Sequence, residues 1–157
     1  MLKLVVTGHR LNKLGYGRFD QFLCDTLAEV YLKFLNPEVV YTGVALGWDT
    51  NIARACISLG IPFIAAVPFA GQECRWPDQA QAEYRRICDA AEKVVVVCAG
   101  SYSPFKMQAR NEYMVDRADK VLALFNKTTG GTFNCVRYAK KTGKEVINAW
   151  REYEIFH

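Results

Sequence analysis

The chain has 157 residues, a length that fits one domain with one core. Its 51% apolar and 23% charged residues match an ordinary soluble globular protein, and the absence of any run of about 18 apolar residues excludes a helical membrane span. The formal net charge of +4 suits a small anionic ligand or weak nucleic-acid contact and demands neither.

Leu2–Val6 is a short, β-branched-rich run that stops at Thr7-Gly8, and it reads as a buried, central first strand. Met1–Arg10 lacks the basic head and small-residue cleavage site of a signal peptide, so the protein is expected to stay in the cytoplasm. The loop 7–17 follows. From Arg18 to Leu35 apolar residues recur at helical spacing, with Phe19, Phe22, Leu23, Leu27, Val30, Tyr31 and Phe34 expected inward. Asn36-Pro37 ends that helix.

Val39–Tyr41 predicts a second strand, and the turn 42–49 brackets a tight strand-to-helix passage between Gly43 and Gly47. A helix then runs to about Leu59, with Ile52, Ala53, Cys56 and Ile57 inward and Gly60 closing it. Ile61–Val67 is a third strand. Pro77-Asp78 precedes a helix to about Ala91. Lys93–Cys98 carries four valines and predicts a strand buried on both faces. A helix over about 106–118, a strand Val121–Phe125, a helix from Phe133 to about Thr142 and a strand Glu145–Ala149 complete the pattern. The end, 151–157, is an aromatic and charged tail.

Six alternations of strand and helix, with no linker or repeat, predict a single α/β domain over 1–157. Its fold is Rossmann-like and doubly wound, with a mostly parallel sheet of about six strands and helices on both faces. Right-handed crossovers gather every strand-to-helix loop at the carboxyl edge, where such sheets bind ligands. Six scattered cysteines form no C-x-x-C pair and read as reduced thiols. With only two histidines, no metal site is expected.

The loops at that edge hold the candidate residues. Gly130-Gly131-Thr132 stands where a strand ends and a helix opens, and its free N–H groups suit a phosphate; a plain turn with a threonine cap is the alternative. Arg110, with Asn111, offers a bidentate fork to an anion. Thr7-Gly8-His9-Arg10 leaves the first strand, its glycine admitting a ligand to the backbone. Arg10 is an anion ligand there, and His9 a stacking or donor group. Gly43-x-Ala45-x-Gly47-x-Asp49 is a loose glycine fingerprint, too weak to assign a dinucleotide cofactor, and no cofactor is expected. Asp49 caps its helix, holds a ribose hydroxyl or acts as an acid or base. Glu73 and Asp116 are the other carboxylates near the edge. Pro68, Phe69, Gln72, Trp76 and Tyr102 complete the expected pocket, with Trp48, Phe69, Trp76 and Tyr102 as aromatics for stacking on a base or for packing the loops.

Taken together these residues resemble the SLOG superfamily, a Rossmann-like group that includes the Lonely-guy phosphoribohydrolases and DprA, and most closely its YspA/YpsA-like branch. The resemblance rests on T-G-H-R at 7–10, the turn at 43–49, P-F-A-G-Q-E-C-R-W at 68–76, R-N-x-x-M-V-D-x-A-D at 110–119 and G-G-T at 130–132. It implies binding of nucleotides or nucleotide-derived ligands. Met107-x-x-Arg110-Asn111 resembles the first Lonely-guy motif, but Asn134 stands where that family has its catalytic glutamate. An amide does not serve as that carboxylate, which favours a sensor or sequestering protein. The alternative is an enzyme cleaving an N-glycosidic bond, as a phosphoribohydrolase or deoxyribosyltransferase does. Asp49, Glu73 or Asp116 would then stabilise or trap the oxocarbenium-like centre. A DprA-like single-strand DNA binder is the third reading, against which stand the mild charge and the lack of a basic stripe. Exposed aromatics in so short a domain point to a homodimer.

Overall fold

The structure, a computed structural model, describes residues 1–10 and 18–156. The loop residues 11–17 and the side chain of Phe19 therefore lie outside what is described. Six strands, β1 (Lys3–Gly8), β2 (Val39–Thr42), β3 (Phe63–Val67), β4 (Lys93–Val96), β5 (Lys120–Leu124) and β6 (Glu145–Asn148), form one sheet in the order β4-β3-β2-β1-β5-β6. Every pairing is parallel. Between and after them lie α1 (Arg18–Leu35), α2 (Trp48–Leu59), α3 (Asp78–Ala90), α4 (Pro104–Arg117), α5 (Gly131–Lys141) and α6 (Trp150–Phe156). No described helix is long and apolar enough to cross a membrane.

The order dictates the layers. Strand β1 has a neighbour on each side and helices on both faces, so Leu4, Val5 and Val6 are all fully buried. Leu4 and Val6 join a core with Leu27, Leu32, Ile52, Phe63, Ile87 and Tyr153, drawn from α1, α2, β3, α3 and α6. Val5 points the other way, to Met114, Val115, Cys135 and Val136 of α4 and α5. Helices α1 to α3 therefore cover one face, α4 and α5 the other, and α6 returns to the first.

Several expectations are corrected. Strand β4 is not buried on both faces: it is an edge strand, and Val94 and Val96 are exposed. On α1 the buried stripe is Leu23, Cys24, Leu27, Ala28 and Leu32, whereas Phe22, Val30 and Phe34 are exposed. A helix on a sheet buries one stripe, and the expected set was wider than that. Ile57 of α2 is exposed for the same reason. The tail is a helix, α6, that packs Tyr153 into the core. Helix α4 starts at Pro104, whose fixed φ suits a first turn. Helix α5 starts at Gly131, two residues before the expected Phe133. All six cysteines are free thiols; Cys24, Cys56 and Cys135 are buried and Cys74 is exposed.

Candidate functional site

Strands β1 and β5 are neighbours, and the helices that follow them, α1 and α5, lie on opposite faces. This reversal opens a crevice at their carboxyl ends. A cavity of about 240 Å³ lies there. Its walls are Val6–Arg10 from the end of β1, Ala45 and Asp49 from the turn before and into α2, Met107, Arg110, Asn111 and Met114 from α4, and Thr128–Thr132 from the loop into α5.

The α5 wall is an open helix start. Gly130 is its N-cap at φ 142, and no side chain caps it. The carbonyl of Gly130 accepts the Asn134 N–H at 3.0 Å, so the helix begins with its first N–H groups free of intrahelical partners. Thr132 lies inside the helix and is not its cap. This end presents the positive pole of the helix dipole to the cavity.

Arg110 is buried and largely committed to protein partners. Its Nη1 donates to the carbonyls of Gly43 at 3.0 Å and Ala66 at 3.4 Å, and its Nε donates to Asn111 Oδ1 at 3.1 Å. Asn111 Nδ2 donates in turn to the carbonyl of Gly131 at 3.3 Å. One chain of hydrogen bonds thus joins the 43–49 turn to the start of α5. Gly43 allows it, since a Cβ there would lie 2.2 Å from Nη1. Gln72 supports the same carbonyl from behind, donating from Nε2 at 3.0 Å.

Asp49 is buried against the cavity. Its Oδ2 accepts the Ala45 N–H at 3.3 Å, while Oδ1 has no partner. Burial pushes its pKa up to about 6, a rise that the Arg110 charge, the Ala45 hydrogen bond and the Arg10 charge only partly offset. No ion pair within 4.0 Å joins it to either arginine among the described residues. Thr42 Oγ1 donates to the Asp49 carbonyl at 3.2 Å and Thr50 Oγ1 to that of Ala45 at 2.8 Å, and Val44 holds a left-handed φ of 52 in the same turn.

His9 is buried between Phe125 and Trp150, with ring centroids 5.9 Å from each. The Asn126 N–H donates to its Nε2 at 2.9 Å, and Asn126 Oδ1 accepts from the Thr128 N–H and hydroxyl at 3.1 and 2.6 Å. His9 therefore holds the loop that leads into the glycine pair. Its carbonyl also accepts the Trp48 N–H at 3.2 Å, an approach possible because position 47 is glycine: a Cβ there would lie 2.3 Å from that oxygen. Gly8 makes equal room for Trp48 itself. Thr7 is buried beside Cys135, whose pKa burial drives up to about 12, leaving a neutral thiol beneath the cavity. Arg10 is exposed at the mouth.

The other expected residues lie apart from the lining. Glu73 is half-buried in the loop after β3 with Oε1 unpartnered. Asp116 is exposed and accepts the Tyr138 hydroxyl at 2.7 Å, so it does not point inward from α4 as expected. Asn134 is half-buried on α5. Pro68 is buried, Phe69 packs on Tyr102 with centroids 6.1 Å apart, and Trp76 packs on Tyr84 at 5.4 Å. Trp48, expected on a loop, is fully buried core. The apolar part of the lining comes instead from Val6, Met107 and Met114. Met107, Arg110, Asn111 and Met114 fall at i, i+3, i+4 and i+7, and that helical spacing was the available signal for the two methionines. Asn126 carried no local signal, because its partner is His9 across the sheet.

The model of the YspA SLOG family matches residues 4–153 of the chain. An uncharacterized SPbeta prophage-derived protein of Bacillus subtilis, YoqJ, is 34% identical over 140 residues, which cover 76% of this chain and 81% of the relative. Among solved structures, DNA processing protein A of Streptococcus pneumoniae superposes with a TM-score of 0.68 at 20% identity over 94% of this chain, which spans only 50% of that one. A molybdenum cofactor binding protein from Rippkaea orientalis gives 0.62 at 20% identity, covering 94% of this chain and 75% of that one.

Proposed function

This protein belongs to the YspA SLOG family, and we propose that it binds a nucleotide or nucleotide-derived small molecule at the carboxyl edge of β1 and β5, as a sensor or sequestering protein. The carrying observation is Asp49 Oδ1, a buried carboxylate oxygen without a partner on the wall of a cavity that also holds the uncapped start of α5. A ligand with hydroxyls and an anionic group answers both. The phosphate lies on the N–H groups of Gly131 and Thr132, a sugar hydroxyl donates to Asp49 Oδ1, and Arg10 closes over the anion from the mouth. Arg110 and Asn111 brace these walls. Two arginines against one aspartate leave the lining net positive, which suits an anion. We assign the protein to the cytoplasm, and its partner in this reading is a small molecule, not a nucleic-acid strand.

The alternative, cleavage of an N-glycosidic bond, is narrowed by the same geometry. Asp49 is the one carboxylate lining the cavity among the described residues, so it alone stands to meet the sugar.

The test is thermal shift and free-base release with nucleoside monophosphates, NAD and cyclic dinucleotides. Binding without base release is expected. Arg10→Ala, at an exposed position, is expected to weaken binding about tenfold or more with an unchanged ligand-free melt. Absence of any shift with all these nucleotides overturns the reading; base release lost in Asp49→Asn transfers it to the enzyme.

A further inference from the structure

Five large apolar side chains are exposed on α1 and α6. Their exposures are 68% for Phe22, 57% for Val30, 83% for Phe34, 66% for Ile155 and 61% for Phe156. The two helices pack side by side, with Tyr31 set against Glu152. Phe22, Thr26, Val30 and Phe34 are spaced by four, so they form a single ridge about 18 Å long. We propose that this α1–α6 face is the interface between two copies of this chain.

Area argues for it. With about 200 Å² for an aromatic side chain, the exposed fractions leave roughly 600 Å² of apolar surface on each protomer. A stable interface takes about 800 Å² from each partner, with an apolar centre and a polar rim. The rim supplies the rest and selects the occupant. Glu29 and Lys33 flank the ridge on α1, and Arg151 and Glu154 flank it on α6, two acids and two bases. With an acid and a base on each helix, this rim is able to pair with a second copy of itself, the self-complementarity an isologous contact requires. A lipid surface would favour a predominantly basic flank, which this face lacks. Ridges of this spacing interdigitate with their own kind at about −50°, a crossing that two α1 helices adopt across a two-fold.

Sedimentation velocity and light scattering of the full chain test the proposal. The wild-type chain is expected to be a dimer at micromolar concentration. Phe34→Glu is expected to weaken association at least about thirtyfold with its circular-dichroism melt retained. Phe105→Glu, an exposed aromatic on α4 away from this face, is expected to leave the dimer unchanged. A second readout needs no variant: dilution through dissociation is expected to speed amide exchange in α1 and α6 and not in α4. A wild-type chain still monomeric at about 100 µM overturns the interface. So does a dimer that survives Phe34→Glu with Phe156→Glu, dissociation by Phe105→Glu instead, or monomers that bind phosphatidylcholine vesicles through this face.

Discussion

Arg110 Nη1 donates to the carbonyl of Gly43 at 3.0 Å, and a methyl group on that glycine would stand 2.2 Å from the same nitrogen. The two residues are 67 positions apart, yet one has meaning only with the other. Gly43→Ala is expected to push the guanidinium off its carbonyls, to cost about 1–3 kcal/mol of stability and to weaken ligand binding. The control is Gly131→Ala. Nothing lies within 4 Å of a Cβ there, and stability should hold within about 0.5 kcal/mol. Equal melting temperatures for the two variants would remove Arg110 from its clamp.

Arg110→Lys separates bracing from binding. A lysine keeps the charge but has no planar fork to reach Gly43, Ala66 and Asn111 together. The ligand-free protein is expected to lose about 2 kcal/mol or more, because buried acceptors are left without their donor. An arginine that served only the ligand would leave the ligand-free denaturation curve where it was.

Asp49 makes stability depend on pH in a stated direction. Its carboxyl titrates near 4 in an unfolded chain and at about 6 in the fold. The unfolded chain loses its proton first, so this group's contribution is favourable at low pH and declines as pH rises from about 4 to about 6, by up to about 3 kcal/mol. Asp49→Asn abolishes that titration. The melting temperature of the variant relative to wild type should therefore climb across this window and level off above it. A difference that stays flat from acid to neutral pH contradicts the raised pKa.

His9 offers a test of the loop that leads into the glycine pair. His9→Ala removes the acceptor of the Asn126 N–H and the ring between Phe125 and Trp150. Faster amide exchange over residues 126–130 and a loss of about 1–3 kcal/mol are expected. Unchanged exchange there would leave the loop held by Asn126 and Thr128 alone.

Much of the fold was legible before any coordinates. The run of apolar residues in β1 reads as a central strand because only a strand flanked on both sides buries Leu4, Val5 and Val6 together. The glycine pair marked a helix start within two residues of where α5 begins. What misled were residues whose type fits two destinations. Trp48 looked like a loop aromatic because it lies in the 42–49 turn, but Gly8 on β1 leaves it a slot in the core. The valines of β4 looked doubly buried, but strand order put them on the rim of the sheet. Asp116 sits two turns along α4 from Arg110, yet Tyr138 on α5 takes it outward.

The sequence by itself determined the alternation of strand and helix and the edge at which the loops collect. Hydrophobic period and glycine placement are local, and the handedness of the crossover does the rest. Only the tertiary structure decided which loop residues face the cavity, that Arg110 spends its donors on Gly43 and Ala66, that Asp49 keeps one oxygen unpaired, and that Phe34 stays outside. Those outcomes depend on partners tens of residues away, and no window along the chain contains both members of such a pair.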